Sequence, residues 1–229
     1  MQSNRKRRKG LVLTPKTATI VRAMTIPEGR FSGYIFDCDG TLTDNMPLHY
    51  RAWMLAMKKY GGQFPEVLFY KWGGTTTLVI IEQLNKMFNL TLDPAEVGHA
   101  KEVYYTDLIA EVEPFAPVVE IVQSLQGKAK LAVASGGYRR LVVATLKALN
   151  ILGCFEVIVT VEDTVRHKPD PDPFLLAARK LGVEPAECLV FEDSPTGIKA
   201  AEAAGMKHVL VPTAQMALDR IAAKVAKTV

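Results

Sequence analysis

The stretch Phe31-Ser32-Gly33-Tyr34-Ile35-Phe36-Asp37-Cys38-Asp39-Gly40-Thr41 constrains this chain more than any other: a short apolar run that stops on two carboxylates separated by one residue. An apolar run of this length, bounded by glycine and polar residues, predicts a buried strand. In open parallel sheets, ligands gather at the carboxyl ends of strands. Side chains two apart in an extended chain point the same way, so Asp37 and Asp39 can face one substrate while Cys38 faces away. That geometry suits a divalent metal together with acid or base work. Read alone, the segment also fits a plain turn rich in aspartate and glycine, and the remaining segments have to decide.

At 229 residues with 48% hydrophobic content, the chain can bury a proper core, as one large domain or as one domain with a smaller one inserted. Cys38, Cys154 and Cys188 lie in or beside apolar runs without CxxC spacing, which suits small core residues in a reducing, cytoplasmic compartment. No apolar run approaches the ~20 residues needed to cross a bilayer, so no membrane association is expected. The net charge of +4 is unevenly spread. Of 28 Lys/Arg and 24 Asp/Glu, eight and one fall in residues 1–30, leaving 20 basic against 23 acidic groups elsewhere. The run Arg5-Lys6-Arg7-Arg8-Lys9 therefore reads as a solvated extension, and nucleic acid is not the expected partner. Met24, seven residues before Phe31, offers an alternative start for a shorter product.

After Asp44 the period changes. Leu48, Ala52, Leu55 and Ala56 fall at helical spacing and Gly61-Gly62 ends the run. Further helices are expected at about 75–88 and 93–111, the latter opened by Asp93-Pro94 with Glu96. Beyond Pro114 and Pro117, expected strands at 130–134, 156–160, 188–191 and 208–211 alternate with helices at 118–125, 138–149, 172–181 and 196–204. Such alternation predicts a Rossmann-like parallel sheet flanked by helices. The expected organisation is a basic extension at 1–30, a core domain formed by 31–44 and 114–229, and an all-helical cap domain at 45–113. The final helix, from Thr213, is expected to pack through Met216, Ile221 and Val225.

Polar groups recur wherever a strand ends: Ser135-Gly136-Gly137 after the second, His167-Lys168-Pro169 after the third, Glu192-Asp193-Ser194 after the fourth. Together they supply what phosphoryl transfer needs, namely a nucleophile, a cation and oriented donors. Asp37 is the expected nucleophile. Asp37, Asp193 and the main-chain carbonyl of Asp39 form a hard-oxygen set for Mg²⁺, with Glu192 holding a bound water or tuning Asp193. Ser135 and the amides that follow it, Gly136 among them, donate to phosphoryl oxygens, and Lys168 offsets repulsion among the carboxylates. Asp39 is the candidate general acid and then general base.

These four ordered motifs, Asp37-x-Asp39-Gly40-Thr41, Ser135, Lys168-Pro169 and Glu192-Asp193 with Gly197, resemble those of the haloacid dehalogenase-like superfamily over about 31–212. The resemblance implies a helical cap inserted after the first motif and Mg²⁺-dependent transfer through an aspartyl-phosphate. The second aspartate, Asp39, implies phosphate chemistry rather than dehalogenation. Asp44-x-x-Pro47-x-His49-x-x-Ala52-Trp53 is similar to a segment of β-phosphoglucomutases and related sugar-phosphate phosphatases. It implies a hinge role for His49 and, for Lys101 on the returning cap helix, a reach into the closed site; a solvated helix face remains the other reading of Lys101. The mutases carry a cap-loop arginine for a second phosphate, whereas this loop reads Trp72-Gly73-Gly74-Thr75-Thr76-Thr77. Its glycines, Thr75 and Thr76 offer amides and hydroxyls to a sugar or form a helix-start turn. The expected activity is hydrolysis of a small phosphorylated metabolite, a sugar or polyol phosphate, by a monomer; isomerisation of the mutase kind is the alternative.

Overall fold

The computed structural model describes residues 24–226; the basic run 5–9 lies outside them. Five strands, β1 (Gly33–Phe36), β2 (Lys130–Ala134), β3 (Val157–Val159), β4 (Cys188–Glu192) and β5 (Lys207–Leu210), form one sheet in the order β3-β2-β1-β4-β5. Every pairing is parallel. β1 is central, with Phe36 level with Val133 on one side and Phe191 on the other. The chain leaves β1 for β2 on one side and reaches β4 on the other, so the strand order reverses at β1, where ligands of such sheets bind.

Between β1 and β2 come α1 (Met46–Tyr60), α2 (Glu66–Lys71), α3 (Thr77–Phe88), α4 (Pro94–Leu108) and α5 (Ala116–Leu125). The rest are α6 (Arg139–Ala148), α7 (Asp172–Leu181), α8 (Pro195–Ala203) and α9 (Thr213–Ala226). Alternation along the strands divides the core into two layers. Phe36, Val133 and Phe191 meet Val118 and Val122 of α5 and Val142 and Leu146 of α6. Ile35, Ala132, Ala134 and Val190 meet Phe174, Ala177 and Ala178 of α7 and Ala200 and Ala201 of α8. Both faces of the sheet are covered, the expected Rossmann-like architecture.

Helices α1 to α4 form the inserted cap, with its own cluster of Trp53, Met57, Phe64, Phe69, Ile81, Leu84 and Val97. Two features depart from the expectation. The six-residue α2, opened by Pro65, is too short to show a period in sequence. The last helix, α9, packs on this cap cluster through Ala217, with Leu218 and the expected Ile221 partly buried beside it and Met216 not among them; the Val225 side chain lies outside the described residues. Among the described residues no helix is long and apolar enough to cross a membrane.

Candidate active site

Past Phe36 the main chain of β1 stays in the sheet, and Asp37 N donates to the Phe191 carbonyl at 2.9 Å. That bond holds Asp37 beside Glu192, the last residue of β4. Lys168 arrives from the loop between β3 and α7, and its Nζ donates to Asp37 Oδ1 at 2.7 Å and to Glu192 Oε2 at 2.6 Å. All three side chains are buried. The other Glu192 oxygen accepts from Ser194 N at 3.0 Å and Ser194 Oγ at 2.6 Å.

Asp37, Glu192 and Asp193 each offer a carboxylate oxygen, and the three oxygens lie within 4.8 Å of one another. Burial first, then the charge of Glu192, push the Asp37 carboxyl up to about 8 against the pull of Lys168. Burial, Glu192 and Asp37 likewise drive Asp193 well above the usual carboxylate range. One ammonium does not balance three buried carboxylates. A buried, all-oxygen donor set short of positive charge fits a hard divalent cation. Because both Glu192 oxygens are already engaged, the open oxygens of the set belong to Asp37 and Asp193.

Asp39 has a different neighbourhood. Asn45 Nδ2 donates to its Oδ1 at 2.5 Å, and His49 Nε2 lies 3.4 Å from the same oxygen. Burial raises its carboxyl, but His49, the Asn45 amide and Lys101 outweigh burial and bring it down to about 2. The second aspartate thus stands apart from the acidic cluster and is ionised. Burial, then Lys101, hold the His49 imidazole below its ordinary range despite Asp39. Gly40 takes φ +84°, and any side chain there would run into the Asp193 carboxylate. This tight turn brings the first and fourth motifs together; Thr41 Oγ1 reinforces it by donating to Asp193 Oδ1 at 3.3 Å.

At the end of β2, Ser135 N donates to the Val159 carbonyl at 3.0 Å. Its Oγ accepts from Gly137 N at 3.0 Å, which leaves the hydroxyl hydrogen to donate elsewhere. From the cap, the Trp72–Thr76 loop rests on the β4–α8 connection: Thr196 Oγ1 donates to the Gly73 carbonyl at 3.3 Å. Gly74, at φ +77°, sits against Ser194 and Thr196.

One cavity of about 150 Å³ is lined by every candidate residue: Asp37, Asp39, His49, Thr75, Thr76, Lys101, Ser135, Gly136, Lys168, Glu192 and Asp193. His49 and Lys101 are both buried, so neither occupies a solvated helix face. Lys101 Nζ donates to Glu102 Oε1 at 3.0 Å and lies 5.9 Å from the Trp53 ring. Trp53, Phe69 and Trp72 supply an aromatic wall from the cap.

Residues 31–205 match the family described as haloacid dehalogenase-like hydrolase. This chain belongs to that family. Among relatives of the haloacid dehalogenase-like hydrolase described here, the fructose-1-phosphate phosphatase YqaB of Escherichia coli is 37% identical over 181 residues, covering 79% of this chain and 96% of that one. A phosphorylated carbohydrates phosphatase of Thermotoga maritima is 30% identical over 179 residues, 76% and 82% of the two chains. The crystal structure of CbbY from Rhodobacter sphaeroides in complex with phosphate superposes with a TM-score of 0.69 at 25% identity, over 78% of this chain and 84% of that one. The β-phosphoglucomutase of Clostridium difficile shares the fold, with a TM-score of 0.69 at 24% identity over 78% and 83% of the chains. The protein is accordingly an enzyme, a phosphoric monoester hydrolase of this family.

Two residues at the hydrolase's site escaped the sequence reading. Asn45 occupies the N-cap of α1, where asparagine ordinarily bonds its own helix; here it makes no such cap bond and turns to Asp39 and Gly40. Tyr105 lies four residues after Lys101 on α4, the spacing that puts two side chains on one helix face, and that was the available signal.

Proposed function

We propose that this enzyme is a Mg²⁺-dependent phosphatase of phosphorylated carbohydrates or polyols that works through an aspartyl-phosphate on Asp37. The observation that carries the reading is the placement of Asp37: a buried carboxylate, held by Lys168, that lines the same cavity as Asp39. Relatives named as phosphatases of fructose 1-phosphate and of phosphorylated carbohydrates support the substrate class.

In the proposed reaction a carboxylate oxygen of Asp37 attacks phosphorus, and the bond from phosphorus to the ester oxygen breaks. The departing alcohol takes a proton from Asp39. Asp39, ionised in the free enzyme, takes up that proton from solvent as the phosphate ester binds and brings negative charge beside it. Once the alcohol has left, Asp39 accepts a proton from water, which attacks phosphorus and releases inorganic phosphate and free Asp37. Ser135 and the Gly136 amide donate to the phosphoryl oxygens, and Lys168 holds Asp37 in place and offsets its charge.

Asp37, Asp193 and the main-chain carbonyl of Asp39 would hold Mg²⁺, with Glu192 orienting the set. When bound, the ion supplies positive charge over the phosphoryl oxygens that Lys168 alone does not provide. Thr75, Thr76, His49 and Lys101 would meet the alcohol part of the ester.

No arginine is among the residues lining the cavity, and its two lysines are paired with carboxylates. That supply of cations suits one phosphate group and favours hydrolysis over a mutase cycle, which must hold two. The test is a panel of sugar and polyol phosphates with phosphate detection, including β-glucose 1-phosphate with a bisphosphate activator. Release of inorganic phosphate from panel members is expected. Predominant conversion to glucose 6-phosphate would overturn the reading in favour of an isomerase.

A further inference from the structure

The acid–base carboxylate is held from one side only. Asn45, fully buried, spans the turn that carries it: Oδ1 accepts from Gly40 N at 3.2 Å, while Nδ2 donates to Asp39 Oδ1 at 2.5 Å. The other oxygen, Asp39 Oδ2, faces the Gly137 side of the cavity. An amide nitrogen has two hydrogens, and the second has its own partner. Tyr105 Oη lies 2.6 Å from Asn45 Nδ2.

Tyr105 belongs to α4, the last cap helix, yet it is 1% exposed and shares a buried cluster with Leu141 of core helix α6. Its ring stacks on His49 with centroids 3.7 Å apart and planes 12° from parallel. The Tyr105 side chain therefore joins cap, core and the Asn45 amide at one point. A cap that moves away takes Tyr105 with it and releases its bond to the amide.

We propose that Asn45 and Tyr105 are positioning residues for proton transfer, the Tyr105 hydroxyl orienting the Asn45 amide and the amide pinning Asp39 Oδ1 so that Oδ2 is presented to the ester oxygen. The inference rests on the phosphatase reading above and assigns to these two residues a part in it. Neither side chain lines the cavity, so neither contacts substrate and both act through Asp39. Placement matters because a proton passes well only across hydrogen-bond distance in the right direction.

The leaving group separates this role from a merely structural one. An alkoxide leaves poorly without a proton, whereas p-nitrophenolate leaves without help, and kcat/KM reports only steps up to release of the alcohol. Tyr105→Phe keeps the ring on His49 and removes only the hydroxyl; Asn45→Ala removes the amide. Each is assayed on p-nitrophenyl phosphate and on the best alkyl ester among fructose 1-phosphate, glucose 6-phosphate and glycerol 3-phosphate. With positioning worth part of the 10²–10⁴ of general acid catalysis, kcat/KM for the alkyl ester should fall about tenfold in Tyr105→Phe and more in Asn45→Ala. The aryl ester should change less than about twofold. Equal losses on both esters, or none, overturn the inference and leave the phosphatase reading standing. A wild-type enzyme that hydrolyses neither ester overturns both.

Discussion

Lys168 Nζ donates to Asp37 Oδ1 at 2.7 Å, joining two residues 131 positions apart in a buried ion pair. The same ammonium holds Glu192, so it is the cation common to two of three crowded carboxylates. Replacing it by methionine keeps the length of the stem and removes the charge. Without added metal, Lys168→Met should destabilise the fold by about 3 kcal/mol, because a buried pair broken on one side leaves uncompensated charge. Phosphate release at saturating Mg²⁺ should fall about a thousandfold. Thermal unfolding and steady-state assays measure the two effects.

Ser194 serves two structures at once. Its Oγ donates to Glu192 Oε1 and accepts from Gly197 N at 3.0 Å at the start of α8. Ser194→Ala should therefore cost about 1 kcal/mol as a lost helix cap. It should also raise the Mg²⁺ concentration needed for half-maximal activity by about 10- to 100-fold, as outer partners of metal ligands do. Titration of activity with Mg²⁺ after chelator treatment gives the second number. Chelation alone should abolish wild-type turnover, and Mg²⁺ should restore it.

Much of this site was legible because each motif follows a strand. β1, β2, β3 and β4 end in parallel at one edge, so Asp37, Ser135, Lys168 and Asp193 had to converge once the alternation of strand and helix was recognised. What escaped depends on side-chain reach across distant segments. Asn45 meets Tyr105 across 60 positions, and the helical spacing of Lys101 and Tyr105 marks a shared face without showing that it reaches Asn45 and Asp39. The packing of α9 on the cap was hidden for the same reason: its apolar face is readable, but the surface it covers is not.

Gly74 lets the cap loop settle on the core. A side chain at its φ of +77° is strained and would press on Ser194 Oγ and Thr196, costing about 1–2 kcal/mol. That cost falls on the seated cap, where the catalytic and cap groups line one cavity. Gly74→Ala should lower kcat/KM for a sugar phosphate about tenfold with little change in the melting temperature of the core. Comparison of the two measurements separates cap seating from global stability.

Asp163 predicts a pH dependence away from the acidic cluster. Its Oδ2 accepts from Thr160 N at 2.7 Å, Thr160 Oγ1 at 2.9 Å and Arg139 Nη2 at 2.5 Å. Burial raises its carboxyl, but the Thr160 bonds, Arg139 and Lys180 outweigh burial and leave it below the ordinary value. A carboxyl lowered by folding contributes stability that is fully present above its unfolded pKa and is lost as pH falls through the folded one. The melting-temperature gap between wild type and Asp163→Asn should thus be widest above about pH 5 and narrow toward pH 3. Melting curves across that range check the sign.

In the proposed reaction Asp37 forms the bond to phosphorus. Phosphate release by Asp37→Asn, folded as judged by its melting curve, is to be compared with wild type on the best ester of the panel with saturating Mg²⁺. The nucleophile assignment predicts less than about a thousandth of wild-type turnover; retention of more than about a hundredth would contradict it.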